Sequence, residues 1–172
     1  TKLNKPKPTS KLIFRKELID SLENGKEKKL TLVSAPAGYG KSTAISQWID
    51  YRSLSYVWYS LDKSDNDKNN FLQYTIAGIQ AVYNTMGAEA IKLMKSNSSP
   101  SFETIATSII NDLIEIQEQF YIIFDDYHLI ENQQINQLIS FLLQNLPDNI
   151  HLVLITRSDP SFPLSRLRSQ QL

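Results

Sequence analysis

Apolar residues gather in four short runs: LTLVSA (30–35), SYVWYSL (55–61), FYIIFDD (120–126) and HLVLITR (151–157). They are rich in β-branched and aromatic residues and nearly continuous, the pattern of strands covered on both faces of a parallel sheet. Between them the spacing changes to that of helices. Ala44, Ile45, Trp48 and Ile49 share one face of KSTAISQWIDYR. Phe71, Leu72, Ile76, Ile79 and either Val82 or Tyr83 share a face of NNFLQYTIAGIQAVY. A third helix is expected after SSPSFET, with Ser99 as cap, Pro100 in the first helical position and a stripe of Phe102, Ile105, Ile109, Leu113 and Ile116. The fourth, NQQINQLISFLLQNL, presents Ile135, Leu138, Ile139, Leu142 and Leu146.

Strands alternating with helices build crossover units, so the expected fold is α/β: a doubly wound, mainly parallel sheet with helices on both faces. Residues 1–28 read as a lead-in with a helix, and 29–172 as the core. Loose segments are expected at residues 1–10, 62–70 and 95–101, which are polar or rich in turn formers. After Arg157, SDPSFPLSRLRSQQL offers a helix-like piece with no strand behind it, so the sheet is expected to be cut short on its C-terminal side.

One turn in this pattern carries chemistry. SAPAGYGKST (34–43) lies between the first strand and the first core helix, where G-x-x-x-x-G-K-[ST] would place a phosphate-cradling loop, the Walker A motif. Gly38 and Gly40 tolerate left-handed backbone and remove side chains, so successive N–H groups can converge on phosphate oxygens. The helix N-terminus adds about half a positive charge. Lys41 is the candidate for the outer phosphates, the Ser42 hydroxyl for magnesium and Thr43 for the inner phosphate. Pro36, Ala37 and Tyr39 supply the rest of the loop. Ala35 stands where the pattern has its first glycine, and alanine suffices there when the backbone stays right-handed or extended.

A second motif ends the third apolar run. Two adjacent carboxylates beyond a buried strand need a cation or hydrogen-bond donors to offset their burial. Beside a phosphate loop they read as Walker B, with Asp125 on magnesium and Asp126 orienting or deprotonating a water. Thr156 and Arg157 end the fourth run, where ligands of open α/β sheets bind, so Arg157 is a candidate sensor of a terminal phosphate. The position of SYVWYSL between the phosphate-loop strand and the Asp125 strand argues for P-loop NTPases with an extra strand between those two in the sheet, the ASCE/STAND type. No N-K-x-D motif follows the loop, which favours adenine over guanine.

Composition narrows the class. The 172 residues carry no net charge, which argues against this segment wrapping a nucleic-acid backbone. There is no cysteine, hence no disulfide or thiolate metal site. No apolar run approaches the roughly 20 residues of a membrane span, and the basic start TKLNKPKPTSK lacks an apolar continuation, so no membrane partner and a cytoplasmic setting are expected.

Taken in order, TLVSAPAGYGKST, WYSLDKSDND, IIFDDYHLI and LVLITRSDP…LSRLRSQ resemble the ATPase domain of the large LuxR-type, MalT-related transcriptional regulators, signal-transduction ATPases with numerous domains. The resemblance spans nearly the whole chain. It implies a bacterial regulator that binds ADP at rest and ATP in an oligomerising active form, and that binds DNA only through a C-terminal helix-turn-helix outside these residues. Asp126, one methylene shorter than the glutamate many such ATPases carry there, fits slow magnesium-dependent hydrolysis. Lys41 and Ser42 carry over to the phosphate loop, Asp125 to magnesium and Arg157 to the sensor. The lead-in resembles an adenine-side segment, with Phe14 and Arg15 as contacts. Asp62, in the family's YSLD, receives no role, and His128 reads as structural. The alternative is a metabolic P-loop enzyme such as a small-molecule kinase, which would need an arginine-rich lid. Only Arg166 and Arg168 in the tail could serve one.

Overall fold

Four parallel strands form the sheet in the order β1-β4-β3-β2: β1 Leu30–Ser34, β2 Ser55–Ser60, β3 Phe120–Asp125 and β4 Ile150–Thr156. A computed structural model describes residues 2–7, 15–25, 27–98 and 100–160. Phe14, Ser99 and the stretch containing Arg166 and Arg168 therefore lie outside the described residues. An extra strand does separate β1 from the Asp125 strand. It is β4, while β2 lies outside β3.

Alternate side chains of each strand feed two apolar layers. Val57, Tyr59, Phe120, Ile122, Phe124, Leu152 and Leu154 point to one face. There they pack under α3 (Lys68–Val82), α4 (Ala88–Met94), α5 (Phe102–Ile114) and α6 (Gln133–Asn145). Trp58, Tyr121, Ile123, Val153 and Ile155 point to the other, under α1 (Lys16–Asn24) and α2 (Lys41–Arg52). All of β3 and β4 is buried, which explains their unbroken apolar runs. The sheet is doubly wound.

Three details depart from the sequence expectation, the cap of α5, the stretch 62–70 and the chain start, and one open alternative is settled. Helix α5 is capped by Ser101, whose hydroxyl accepts from the Thr104 amide, so Pro100 precedes the cap. The cap falls there because Phe102 is the first residue of the buried stripe. At the end of α3, Tyr83 in the C-cap position packs edge-on to Phe120 while Val82 is exposed, settling that alternative. The polar stretch 62–70 is not loose. It contains a 3-10 turn, η1 (Lys63–Asn66), closed by a reciprocal capping box between Asp62 and Asp65, with Asp65 fully buried. Residues near the start are tied down too, since the Ser60 amide donates to the Lys2 carbonyl at 2.8 Å. Polar composition here marks side chains that bond one another.

Candidate functional site

Because every strand runs the same way, their C-terminal ends share one edge of the sheet, where Ser34, Ser60, Asp125 and Thr156 arrive together. The Ala35 amide still reaches the Thr156 carbonyl at 3.4 Å. Beyond it the chain leaves the sheet as an exposed loop over residues 36–39. Gly38 (φ +83°) and Gly40 (φ +71°) are both left-handed, the conformation that L side chains resist. Helix α2 starts directly at Lys41, and its first backbone bond runs from the Ala44 amide to the Gly40 carbonyl. Among the described residues, none of the amides of residues 37–43 donates to a protein acceptor. A run of free N–H groups at a helix N-terminus is a cradle for an anion.

Lys41 folds back over this loop, its Nζ donating to the carbonyls of Ala35 at 2.6 Å and Pro36 at 3.0 Å. These are exchangeable partners for an ammonium. Tyr39 is 62% exposed at the crest of the loop. Its carbonyl accepts from Arg15 Nη1 at 3.3 Å, so the lead-in does meet the loop through one of its two candidate residues. Phe14 lies outside the described residues. Thr43 occupies the first turn of α2, half-buried.

Asp125 faces the loop from the end of β3. Ser42 Oγ donates to its Oδ1 at 2.9 Å, and the Asp126 amide donates to the same oxygen at 2.9 Å. Burial raises the Asp125 pKa above the usual carboxylate range; the neighbouring Asp126 charge adds to the rise, while the Ser42 hydrogen bond opposes it. A hydroxyl and a buried carboxylate in contact, next to a free-amide loop, form a donor set suited to a hard cation that also binds phosphate. Among the described residues there is no cluster of three or more acidic, histidine or cysteine ligands. The protein's share of any such site would be this pair.

Asp126 turns the chain sharply, in left-handed conformation at φ +56°. Its Oδ1 lies 3.8 Å from Arg157 Nη2 and 3.9 Å from His128 Nδ1. His128 Nδ1 is buried without a hydrogen-bond partner. Burial lowers the His128 pKa, and Arg157 lowers it further. The ring is therefore neutral at pH 7, and the charge partner of Asp126 is Arg157. Thr156, fully buried, donates its hydroxyl to the Ser158 carbonyl at 2.6 Å.

The structure thus brings residues 35–43, Arg15, Asp125, Asp126 and Arg157 to one edge. Sequence reasoning missed the contribution of residues 62–66, which hold the loop that follows Asp126. Their only sign was the spacing of Asp62 and Asp65, which suits a capping box. A groove of about 230 Å³ lies elsewhere, lined by Lys68, Phe102, Gln134 and Phe141 among others, and shares no residue with the phosphate loop.

No known protein-family profile matches the chain. Individual relatives do. The "HTH-type transcriptional regulator MalT" of Vibrio campbellii is 32% identical over 172 residues, covering 100% of this chain and 19% of that protein. The MalT of Vibrio cholerae is 33% identical over 173 residues with the same coverages, and that of Yersinia pestis 33% over 168 residues, 98% of this chain and 18% of the relative. This chain is a domain homologous to the MalT-type transcriptional regulators. The MalT-type domain spans about a fifth of the length of the curated relatives it matches. Among solved structures, "Structure of C. elegans PCH-2" aligns with 88% of the MalT-type domain and 40% of that chain, at a TM-score of 0.48 and 11% identity. No helix of the described residues is long and apolar enough to cross a membrane.

Proposed function

We propose that this domain is the adenine-nucleotide switch of a MalT-type regulator, binding ATP or ADP with magnesium at residues 35–43. One observation carries the reading: the unpartnered amides of residues 37–43 lie beside Lys41, with Ser42 in hydrogen-bond contact with buried Asp125. The strand order β1-β4-β3-β2 supports the extra-strand, ASCE/STAND type. The free amides and Lys41 take the phosphates, the lysine exchanging two backbone carbonyls for phosphate oxygens. Magnesium, when bound, would neutralise phosphate charge and be held by Ser42 Oγ and, through water, by Asp125.

Asp126 and Arg157 act as a pair. Arg157 leaves the Asp126 carboxylate for a terminal phosphate, and the released carboxylate accepts a hydrogen bond from a water. Asp126, one methylene shorter than a glutamate, reaches that water poorly, so hydrolysis is slow and serves as a timer. In the longer protein, nucleotide state governs self-association and, through a helix-turn-helix elsewhere in the chain, DNA binding. Isothermal titration with ADP, ATP and GDP tests the assignment. Tight binding of both adenine nucleotides is expected; GDP binding of equal or greater strength refutes it.

A further inference from the structure

Two sets of bonds meet at η1. On one side, the Asp62 side chain accepts from the Ser64 amide at 2.8 Å, and Asp65 Oδ2 accepts from the Asp62 amide at 2.8 Å. Asp65 has no exposed surface, yet it is fully compensated. Lys2 Nζ lies 2.8 Å from both of its oxygens, and Asn70 Nδ2 donates to Oδ1 at 2.8 Å. Lys2 Nζ also reaches Asp62 at 2.8 Å, and the Lys2 carbonyl takes the last amide of β2. The turn is thus clamped between the chain's opening residues, the end of β2 and the start of α3.

On the other side, the Asn66 side chain bonds the loop that leaves Asp125, apart from one Nδ2 contact to the Lys63 carbonyl within the turn at 3.2 Å. Its Nδ2 donates to the Leu129 carbonyl at 2.7 Å, and its Oδ1 accepts from the amides of Glu131 at 2.7 Å and Asn132 at 3.0 Å. The Asn66 carbonyl accepts from Asn132 Nδ2 at 2.8 Å, while Asn132 Oδ1 caps α6 through the Gln134 amide. The loop also has internal turns: the Leu129 amide donates to the Asp126 carbonyl, and the Ile130 amide to the Tyr127 carbonyl. Residues 126–132 leave Asp125 with Tyr127 and Ile130 buried in the core and the Tyr127 hydroxyl donating to Asn136 at 2.8 Å, while Asn66 on the clamped turn holds the backbone of residues 129–132 from the other side. The residues so held include Asp126, the charge partner of Arg157, and His128.

We infer that Asn66 is a positioning residue for the Asp126–His128–Arg157 side of the site, and that the Lys2–Asp65 clamp holds it in place for that task. On the nucleotide-switch reading, on which this rests, the brace sets how strongly the domain distinguishes ATP from ADP. Binding of the diphosphate is left to residues 35–43, which no atom of η1 touches through a hydrogen bond. Asp62, whose role the sequence left open, belongs to the clamp.

The experiment compares the whole chain with Asn66→Ala and with Asn132→Ser. The second keeps a capping hydroxyl for α6 and removes only the amide that reaches Asn66. Amide hydrogen exchange, without nucleotide, is expected to quicken roughly tenfold at residues 129–132 and to stay unchanged in α2. Titration with magnesium present should shift the ratio of ATP to ADP affinity by about fivefold or more, with ADP affinity held within about twofold. Unchanged exchange in both variants overturns the brace. Equal weakening of ATP and ADP shows a merely structural residue and overturns the selectivity role, as does a wild-type ratio near one. A wild-type chain that binds neither nucleotide sinks the switch reading itself, a result distinct from variants that bind like wild type.

Discussion

If the loop at residues 35–43 holds phosphate, nucleotide should stabilise the fold, and Lys41→Ala should remove most of that gain while costing the free domain little. In the free structure Lys41 makes two hydrogen bonds to loop carbonyls, and its side chain is partly exposed. Losing them costs about 0.5–1 kcal/mol, or roughly 1–4 °C in a domain of this size. Nucleotide at a hundred times its Kd adds about 2.7 kcal/mol to the wild type, a midpoint rise of roughly 5–10 °C. A phosphate-facing ammonium contributes about 1.5–3 kcal/mol, which weakens Kd some tenfold to more than a hundredfold. At the same nucleotide concentration the variant then gains only about 0.3–1.3 kcal/mol, roughly 1–5 °C. The assay is a thermal melt of both proteins with and without magnesium–ADP. A wild-type shift below about 2 °C, or equal shifts in the two proteins, would refute the phosphate-loop assignment.

Three further outcomes follow from the geometry. Asp125 has a folded pKa raised by burial, so its contribution to stability is present below the ordinary carboxylate pKa and is lost as pH rises through the raised value. Asp125→Asn keeps an oxygen for Ser42 and the Asp126 amide, so nucleotide-free melts should show it gaining on wild type as pH rises above the ordinary carboxylate pKa of about 4, while its nucleotide affinity loses magnesium dependence; a difference that stays flat as pH rises contradicts the burial argument. Gly38→Ala meets nothing within 4 Å and should cost only about 1–2 kcal/mol of backbone strain, whereas Gly78→Ala drives a Cβ to 2.5 Å from Val57 Cγ1 and should lower the midpoint at least as much through overpacking, though it lies outside any motif. With no net charge, the domain should give no specific gel shift even at low salt; as a switch that works in an assembly, its turnover of ATP as a monomer should be negligible, and robust multiple turnover by the monomer would favour a metabolic enzyme.

The strands and four core helices were legible because burial on both faces leaves an unbroken apolar run, and burial on one face leaves a period of 3.6 residues; the lead-in helix, α1, was expected within residues 1–28 without bounds. Helix α4 was not legible, since its seven residues bury only Ala90 fully and are too short to display a period. The stretch 62–70 was misread for a different reason. Polar composition reports the absence of an apolar core, and it is silent on whether polar groups bond water or each other. Asp65 bonds Lys2 across 63 positions of sequence, a pairing no local pattern encodes.

The site divides along the same line. Gly38, Gly40, Lys41 and Ser42 fall within five residues, so their joint geometry is a property of one turn and could be read from spacing. The Ser42–Asp125 contact joins residues 83 positions apart, and it follows only because β3 and the phosphate-loop strand deliver their ends to one edge of a parallel sheet. Topology therefore carries the step from motif to site. The Asp126–Arg157 pair needs more than topology, because a strand end fixes a Cα and leaves the side chain free to turn. Here the left-handed backbone at Asp126 and the Asn66 bonds to residues 129–132 supply the missing constraint. Those bonds come from residues whose types signal nothing catalytic, which is why the supports of this site were harder to see than its reacting groups.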